Sequence, residues 1–237
     1  MSGHSKWANI KHKKAAVDAK RGKTFTKLIK EITVAAKVGG KPEMNPRLKH
    51  LIEKAKNINM PADNIARAVK KGTGELPGVA YEAMTYEGYG PNGVAVIVET
   101  LTDNKNRTVA ELRTFFTKRG GTVGETGSVN WMFERKGVLK GNANQKTEDD
   151  FFELLIDYNV DDISVDDGTF FVTCDPKSLD TLKKVLEDAG LKVDNAELEW
   201  VAKNTVSLND QQSQKVIEFL DELEDLDDVQ NVYANLV

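Results

Sequence analysis

The sequence predicts an α+β protein of several domains: an N-terminal helical domain followed by two α/β, ferredoxin-like domains, of which the first in the chain is discontinuous. Three observations predict this class. The first 72 residues are rich in Ala, Lys, Leu and Ile and poor in strand formers, which favours helices. Beyond about residue 75, β-branched runs alternate with helical patterns. The predicted order is α-β-β-α-β over 147–203, but only β-β-α-β over 80–138.

The incomplete pattern over 80–138 sets the predicted domain boundaries. It lacks a closing helix and strand, and the last 28 residues supply one of each. We therefore predict a basic helical domain at 1–75, a discontinuous α/β domain at 76–138 plus 204–237, and an acidic α/β domain at 139–203 inserted within it.

Apolar residues at helical spacing predict the N-terminal helices. Intervals of three and four residues recur in three stripes, which are Trp7, Ile10 and Val17; Phe25, Leu28, Ile29, Ile32, Ala35 and Ala36; and Leu48, Leu51, Ile52 and Ala55. Gly39-Gly40 is expected to end the second helix. Pro61 is typical of a first helical turn, and Gly72-Thr73-Gly74 is expected to end the helix that it starts.

Alternation and β-branched runs predict the remaining elements. The predicted strands are Tyr81–Glu87, Val94–Leu101, one that starts at Val129–Phe133, Asp161–Val165, Thr169–Cys174, Leu191–Val201 and Val229–Leu236. The predicted helices are Asn106–Lys118, Thr147–Tyr158, one from Asp175-Pro176 to Ala189-Gly190, and Asp210–Leu223. Thr147 followed by Asp150 is a variant of the capping box, and Asp166-Asp167-Gly168 predicts a hairpin turn.

Composition excludes several classes of protein. The 237 residues are 40% hydrophobic and 30% charged, with a mean hydropathy of −0.45, which is typical of a soluble globular chain. No run of about 18 apolar residues predicts a membrane helix, and the N-terminal sequence lacks the apolar stretch of a secretory signal. The single cysteine, Cys174, excludes an intrachain disulfide and a cysteine-only zinc site. We expect a cytoplasmic protein without a membrane partner.

Charge is divided unevenly along the chain. Residues 1–72 hold 18 Lys and Arg but five Asp and Glu, a net +13, whereas the other 165 residues hold a net −17. So large a local excess repels itself without a counter-charge, and it predicts an N-terminal region that binds a polyanion. Two alternatives stay open: an ordinary solvated lysine face, and neutralisation by the acidic remainder, within the chain or in an oligomer.

Four lysines in the basic region recur at a regular spacing, and we call them the lysine stripe. Its members, spaced by seven residues, are Lys6, Lys13, Lys20 and Lys27. Seven residues are nearly two helical turns, so the first three lysines share a face if the helix is continuous, with Lys14 and Arg21 beside it. Gly22 is a candidate break before Lys27. Trp7 and Phe25 fit base stacking, although their place in the apolar stripes favours core packing. Nothing resembles a helix-turn-helix, so no base-specific contact is predicted.

Motifs that bind nucleotides or metals are not convincing. Gly88–Gly93 matches G-x-G-x-x-G but leads into a strand instead of a helix, so we interpret it as a turn. Gly22-Lys23-Thr24 lacks the strand and the first glycine of a P-loop. His4, His12 and His50 lack the spacing of metal ligands.

Candidate catalytic groups are equally weak. Cys174 ends an apolar strand and is expected to be a small buried residue. Three acidic pairs, Asp161-Asp162, Asp166-Asp167 and Asp227-Asp228, are interpreted as solvated charge, because adjacent residues do not face each other as an acid and a base must. We predict no enzymatic activity, no cofactor and no metal.

Four segments carry a family resemblance. They are GHSKWANIKHKKAAVDAKRGKTFTKL, NMPADNIARAVKKGTGE, YEGYGPNGVAVIVETLTDNKNRT and GSVNWMFERKG. They resemble the YebC/PmpR family, which includes the mitochondrial translational activator of cytochrome c oxidase. The resemblance implies three domains around a cleft and a cytoplasmic, non-enzymatic role. Bacterial members are described as probable transcriptional regulators that bind DNA, whereas mitochondrial members act in translation and some bacterial members are linked to ribosomes.

The resemblance and the charge pattern together give the candidate nucleic-acid-binding residues. Those implied by the family segments are Lys6, Trp7, Lys11, His12, Lys13, Lys14, Lys23, Arg67, Lys70 and Lys71. The stripe adds Lys20, Arg21 and Lys27, and the helix predicted at 106–118 adds Arg107 and Arg113, with Arg119 near them.

Four functions are compatible with these residues. The first is a non-enzymatic regulator of transcription that binds DNA through the basic N-terminal domain. The alternative is a ribosome-associated translation factor that binds ribosomal RNA through the same domain. An enzyme with its site in the cleft between domains would be indicated by a strongly perturbed carboxylate there. An adaptor that binds proteins through the acidic domains is the fourth.

Overall fold

Three helices form the first part of the described chain. The computed structural model describes residues 21–237. The first helices are α1 (Arg21–Ala36), α2 (Pro46–Asn57) and α3 (Ala62–Thr73), which we call the helical bundle. The buried residues that they share include Leu28, Ile32, Leu48, Leu51 and Ile65. The helical spacing of the apolar residues therefore predicted the buried faces correctly.

Side-chain caps and glycines fix the geometry of the bundle. Asn45 is the N-cap of α2, where its Oδ1 accepts the backbone N–H of Leu48 at 3.1 Å. Gly74 ends α3 in the left-handed conformation, with φ +83°. Gly72 lies inside α3 where this helix crosses α1, and a Cβ there would overlap the carbonyl oxygen of Thr33. Glycine thus permits the close approach of the two helices.

The first sheet is a four-stranded antiparallel sheet. Its order is β3-β1-β2-β8, formed by β1 (Glu82–Tyr89), β2 (Ala95–Thr102), β3 (Thr122–Val123) and β8 (Val229–Ala234). Helices α4 (Lys105–Lys118) and α7 (Asp210–Glu224) pack on one face. Val96 and Val98 of β2 face these helices, and Ala95 and Ile97 pack on the other side against Phe133. β2 is thus buried on both faces, as its β-branched run predicts.

The second sheet is also antiparallel and four-stranded. Its order is β5-β6-β4-β7, formed by β4 (Phe133–Asn142), β5 (Val160–Asp166), β6 (Thr169–Cys174) and β7 (Val193–Ala202). Helices α5 (Glu148–Leu155) and α6 (Leu179–Asp188) supply Phe151, Leu182 and Leu186 to its core. The capping box of Thr147 and Asp150 is present, as predicted.

The structure differs from the predicted elements at the end of the first sheet. Residues 130–132 form a short 3₁₀ helix, and β4 begins at Phe133, so no strand starts at Val129. The fourth strand of the first sheet is instead the two-residue β3, which the sequence did not predict. β4 pairs along its length with β6 and β7, so the predicted boundary at 138–139 falls inside one strand. The division into three domains stays a prediction.

The length and polarity of the helices decide whether any of them could span a membrane. Among residues 21–237, no helix is long and apolar enough to cross a lipid bilayer.

Candidate nucleic-acid interface

A buried ion pair joins the helical bundle to the first sheet. Lys30 of α1 is 7% exposed, and Asp228, just before β8, is 4% exposed. The Nζ of Lys30 lies 2.9 Å from Oδ1 of Asp228, and it also donates to the carbonyl oxygens of Leu101 and Asp227. The other carboxylate oxygen of Asp228 accepts hydrogen bonds from Thr102 at the end of β2 and from Arg107 and Thr108 in α4.

This finding corrects one interpretation made from the sequence. Asp228 is not solvated charge but the buried centre of a hydrogen-bond network. Burial alone would raise the pKa of its carboxyl group, but hydrogen bonds from Arg107, Lys30 and Thr108 outweigh burial and lower that pKa to about 2. The neighbouring Asp227 is exposed, as predicted, and only its backbone carbonyl contacts Lys30.

Two further lysines of α1 contact the C-terminal end of α7. Lys27 donates to the carbonyl oxygen of Glu224 at 2.8 Å, and Lys23 donates to that of Asp225 at 3.2 Å. Lys23 also lies 3.5 Å from the Asp225 carboxylate. Carbonyl groups at the end of a helix lack intrahelical donors and carry partial negative charge, so cations are favourable there.

A second contact joins the helical bundle to the second sheet. Lys54 of α2 donates to Oε1 of Glu197 in β7 at 2.6 Å, and His50 Nε2 lies 3.7 Å from the same oxygen. Burial disfavours ionised Glu197, but Lys54 and His50 hold its pKa well below the usual range. Burial instead raises the pKa of Glu31, and the charge of Lys54 opposes this rise only in part. Lys54 thus lies between two perturbed carboxylates and pairs with one of them, which is typical of a structural ion-pair network.

Some candidate residues therefore lie in contacts within the chain. Lys23 and Lys27 contact α7, and Arg107 pairs with Asp103 and Asp228. Such contacts are what neutralisation within the chain, one of the two alternatives, predicts for these residues. Arg119 likewise pairs with Glu222 of α7. Whether Lys23, Lys27 and Arg107 also bind nucleic acid stays a prediction.

Other candidates lie on an outward face. Arg67, Lys70 and Lys71 of α3 are exposed, and their spacing of three and four residues places them on one side of that helix. Among the described residues, none of the three forms an ion pair with a carboxylate. Arg113 is exposed on α4. Further exposed cations of the bundle and its loops, absent from the predicted set, are Lys37, Lys41, Arg47, Lys49 and Lys56.

The remaining candidates precede the part of the chain that the structure describes. Lys6, Trp7, Lys11, His12, Lys13, Lys14 and Lys20 lie outside residues 21–237, and the side chain of Arg21 is likewise not described. The lysine stripe therefore stays a prediction, and Lys27 is its one member within the described residues. Phe25, the second aromatic candidate for stacking, is partly buried against the core of the helical bundle, as we favoured.

The described residues offer little for catalysis or metal binding. No group of three or more His, Cys, Asp and Glu side chains within 21–237 is arranged to hold a metal ion. Cys174 is buried, as predicted, and burial raises the pKa of its thiol to about 11, so the thiol is neutral. The segment Gly88–Gly93 contains the turn between β1 and β2, as interpreted from the sequence: Gly88 and Tyr89 end β1, and a 3₁₀ helix at Pro91–Gly93 leads into β2.

Sequence reasoning missed the charged residues that join the helical bundle to the two sheets and hold the loop before β4. Lys30 was counted with the other lysines, and neither Glu87 nor Glu197 was singled out. Glu87 is 6% exposed and accepts three backbone N–H groups from the loop before β4. The sequence around each of these three charged residues is that of an ordinary surface segment. The group to which each one bonds is 40 or more positions away in the chain, so no local pattern signals the pairing.

Two family models match consecutive parts of the chain. The model described as the TACO1/YebC N-terminal domain matches residues 5–75, and the model described as the TACO1/YebC second and third domain matches residues 81–236. The first match contains the helical bundle, and the second contains both sheets. Together they cover nearly the whole chain.

Individual relatives match over the same length. A probable transcriptional regulatory protein of Chlorobaculum tepidum is 52% identical over 100% of this chain and 95% of its own, and one of Persephonella marina is 53% identical over 99% and 95%. The crystal structure of a conserved hypothetical protein from Aquifex aeolicus is 47% identical, with a TM-score of 0.88 over 98% of this chain and 97% of that one. The resemblance read from the sequence is thus confirmed, and the chain belongs to the TACO1/YebC family.

Proposed function

We propose that the protein is a non-enzymatic regulator of gene expression that binds nucleic acid through the cationic surface of its helical bundle. The outward face of α3 carries the proposal, because Arg67, Lys70 and Lys71 are exposed together and have no carboxylate partner among the described residues. Unpaired cations on one helix face suit a phosphate backbone, which dominates the affinity of proteins for nucleic acids. The name of the curated relatives, probable transcriptional regulatory protein, supports a regulatory role. We propose that the protein performs it in the cytoplasm.

DNA is the first proposed target, in keeping with the name of those relatives. Ribosomal RNA, bound during translation, is the second candidate. The exposed apolar side chains of Val38 and Met44, in the loop between α1 and α2, favour it, because they suit unpaired nucleotides better than a regular duplex. Sedimentation of a cell lysate through a sucrose gradient separates the candidates. Travel with ribosomal subunits at low salt, with release at high salt, supports ribosomal RNA. Retention at the top in both conditions argues against stable association with ribosomes, and duplex DNA is then the partner to test next.

Charge reversal on α3 tests the interface directly. In the variant Arg67→Glu/Lys70→Glu/Lys71→Glu we expect affinity for nucleic acid to fall by at least about tenfold at low salt. The slope of log K against log salt should become shallower by about 2 to 3, since each lost phosphate contact contributes about 0.9 on duplex DNA and about 0.7 on a single strand. Fluorescence anisotropy with labelled DNA and RNA over a salt series measures both quantities.

A matched control reverses charge elsewhere. Lys177 and Lys184 are exposed near α6, on the second sheet, and Lys177→Glu/Lys184→Glu should leave affinity and salt slope within about twofold of the wild type. If the α3 variant is folded and binds as tightly as this control, α3 is not the interface. Binding would then belong to another part of the chain.

A further inference from the structure

Two large apolar side chains stand almost fully exposed at one end of the helical bundle. Val38 is 91% exposed and Met44 is 83% exposed, in the loop between α1 and α2. We propose that these side chains form an apolar tip that packs against unpaired nucleotides of the nucleic acid that the bundle binds. This inference rests on the proposed function and adds the class of nucleic acid that is recognised.

Hydrogen bonds hold the tip in a fixed shape. Asn45 is 8% exposed, and its Nδ2 donates to the carbonyl oxygens of Ala35 and Gly39 at 2.8 Å each. The bond to Gly39 ties the two ends of the loop together, next to Val38 on one side and Met44 on the other. The backbone N–H groups of both tip residues are also bonded, Val38 to Ala35 and Met44 to Lys41. A partner would therefore meet a preorganised surface, which reduces the entropy lost on binding.

The loop that carries the tip adjoins the last turn of α3. Gly40 lies against the last turn of that helix, where an added Cβ would come within 2.5 Å of Thr73 Cγ2 and 3.5 Å of Val69 Cγ1. The same turn carries Lys70 and Lys71. The loop therefore contacts α3 on the side of Val69 and Thr73, and the apolar tip lies at the end of the bundle where the last turn of α3 carries Lys70 and Lys71. We infer that a single bound strand that passes around this end contacts both.

The charges around the tip favour a polyanion. Lys41 is exposed within the loop, and Lys37 precedes it, with its Nζ bonded to the carbonyl oxygen of Tyr81. Glu43 is the exposed carboxylate in the loop. A second exposed carboxylate, Glu75, accepts a hydrogen bond from the hydroxyl of Thr73 at 2.9 Å. With Lys70 and Lys71 on the last turn of α3, four cations still outnumber two carboxylates, so a nucleic acid fits better than an acidic protein surface.

The apolar character of the tip selects among nucleic acids. Valine and methionine side chains gain nothing from phosphate groups, but they pack favourably against the faces of bases. A regular duplex stacks its bases on one another, whereas loops, bulges and single-stranded ends leave base faces accessible. The tip therefore fits a nucleic acid whose bases are unpaired where α3 contacts its backbone.

The experiment compares two RNA probes of equal length, a hairpin with an unpaired loop and a blunt duplex. In Val38→Ser/Met44→Gln, which leaves the charge unchanged, we expect affinity for the hairpin to fall about tenfold and affinity for the duplex to stay within twofold. The salt slope should not change, since no phosphate contact is lost. Ile156→Ser is the matched control, because Ile156 is 80% exposed just after α5, on the second sheet, and its loss should affect neither probe.

The outcomes separate the inference from the proposed function. Wild-type protein that binds neither probe, nor DNA, in a salt-dependent manner contradicts the proposed function itself. Wild-type protein that binds the hairpin, with the tip variant binding it equally well, contradicts only the apolar tip. An equal loss of affinity for both probes likewise overturns it, since the tip would then not distinguish unpaired bases. Both replaced side chains are exposed, so the fold should survive, and circular dichroism checks this.

Discussion

The variant Asp228→Ala is expected to lower the free energy of unfolding by about 3–5 kcal/mol, which would reduce the melting temperature by about 10 °C. Removing the carboxylate leaves the buried ammonium group of Lys30 without its counter-charge, and only two carbonyl oxygens remain to accept its hydrogen bonds. The hydroxyl groups of Thr102 and Thr108 lose their carboxylate acceptor as well. Differential scanning calorimetry measures the change.

The neighbouring residue supplies the control. Asp227 is exposed, and Asp227→Ala keeps the backbone carbonyl that Lys30 uses, so we expect a change below about 0.5 kcal/mol. The double variant Lys30→Met/Asp228→Ala removes both charges and should recover part of the lost stability, because an uncompensated buried charge costs more than a missing ion pair. Equal stability of Asp228→Ala and Asp227→Ala would contradict the role of the buried pair.

Acid should weaken the same contact. The pKa of Asp228 is about 2 in the folded protein, below its ordinary value of 3.8. The ionised carboxylate therefore stabilises the fold above about pH 4, and this contribution, about 2 kcal/mol, is lost as the pH falls through 2. Stability measured between pH 5 and pH 2 should fall less steeply in Asp228→Ala than in the wild type.

Local pattern predicted most elements of this fold. Three examples are the apolar stripes of α1 and α2, the capping box before α5 and the β-branched run of β2. Each pattern lies within about a dozen consecutive residues and indicates a helix or a strand there. Such signals depend on neighbours in the chain, and the sequence contains them. The α+β class follows from their order.

The same sequence could not distinguish one lysine from another. Lys23, Lys27 and Lys30 lie along one side of α1 and contact the end of α7 and the chain that leads to β8, about 200 positions away. Lys70 and Lys71 have equally basic surroundings in the sequence, yet they face outward. Charge counting therefore predicts a basic region but cannot say which cations the fold itself neutralises, because that depends on tertiary contacts.

Glu87 shows why β4 begins later than predicted. Its Oε1 accepts the N–H of Gly127, and its Oε2 accepts those of Val129 and Asn130, all at 2.8 Å. Amides held by a side chain cannot join a sheet ladder, so the chain turns through a 3₁₀ helix before β4. Burial opposes ionisation of Glu87, but the three backbone donors outweigh it and lower the pKa of this carboxyl group.

Removing the Glu87 carboxylate should therefore release the loop. We expect Glu87→Ala to lower the free energy of unfolding by about 2–4 kcal/mol, because three amide donors lose their acceptor and one of them, on Val129, is buried. Hydrogen exchange followed by NMR should show faster exchange at Gly127, Val129 and Asn130 than in the wild type. Glu125→Ala, an exposed carboxylate in the same loop, should leave these rates unchanged. If the three amides of Glu87→Ala exchange as slowly as those of Glu125→Ala, the carboxylate does not hold the loop, and the late start of β4 has another cause.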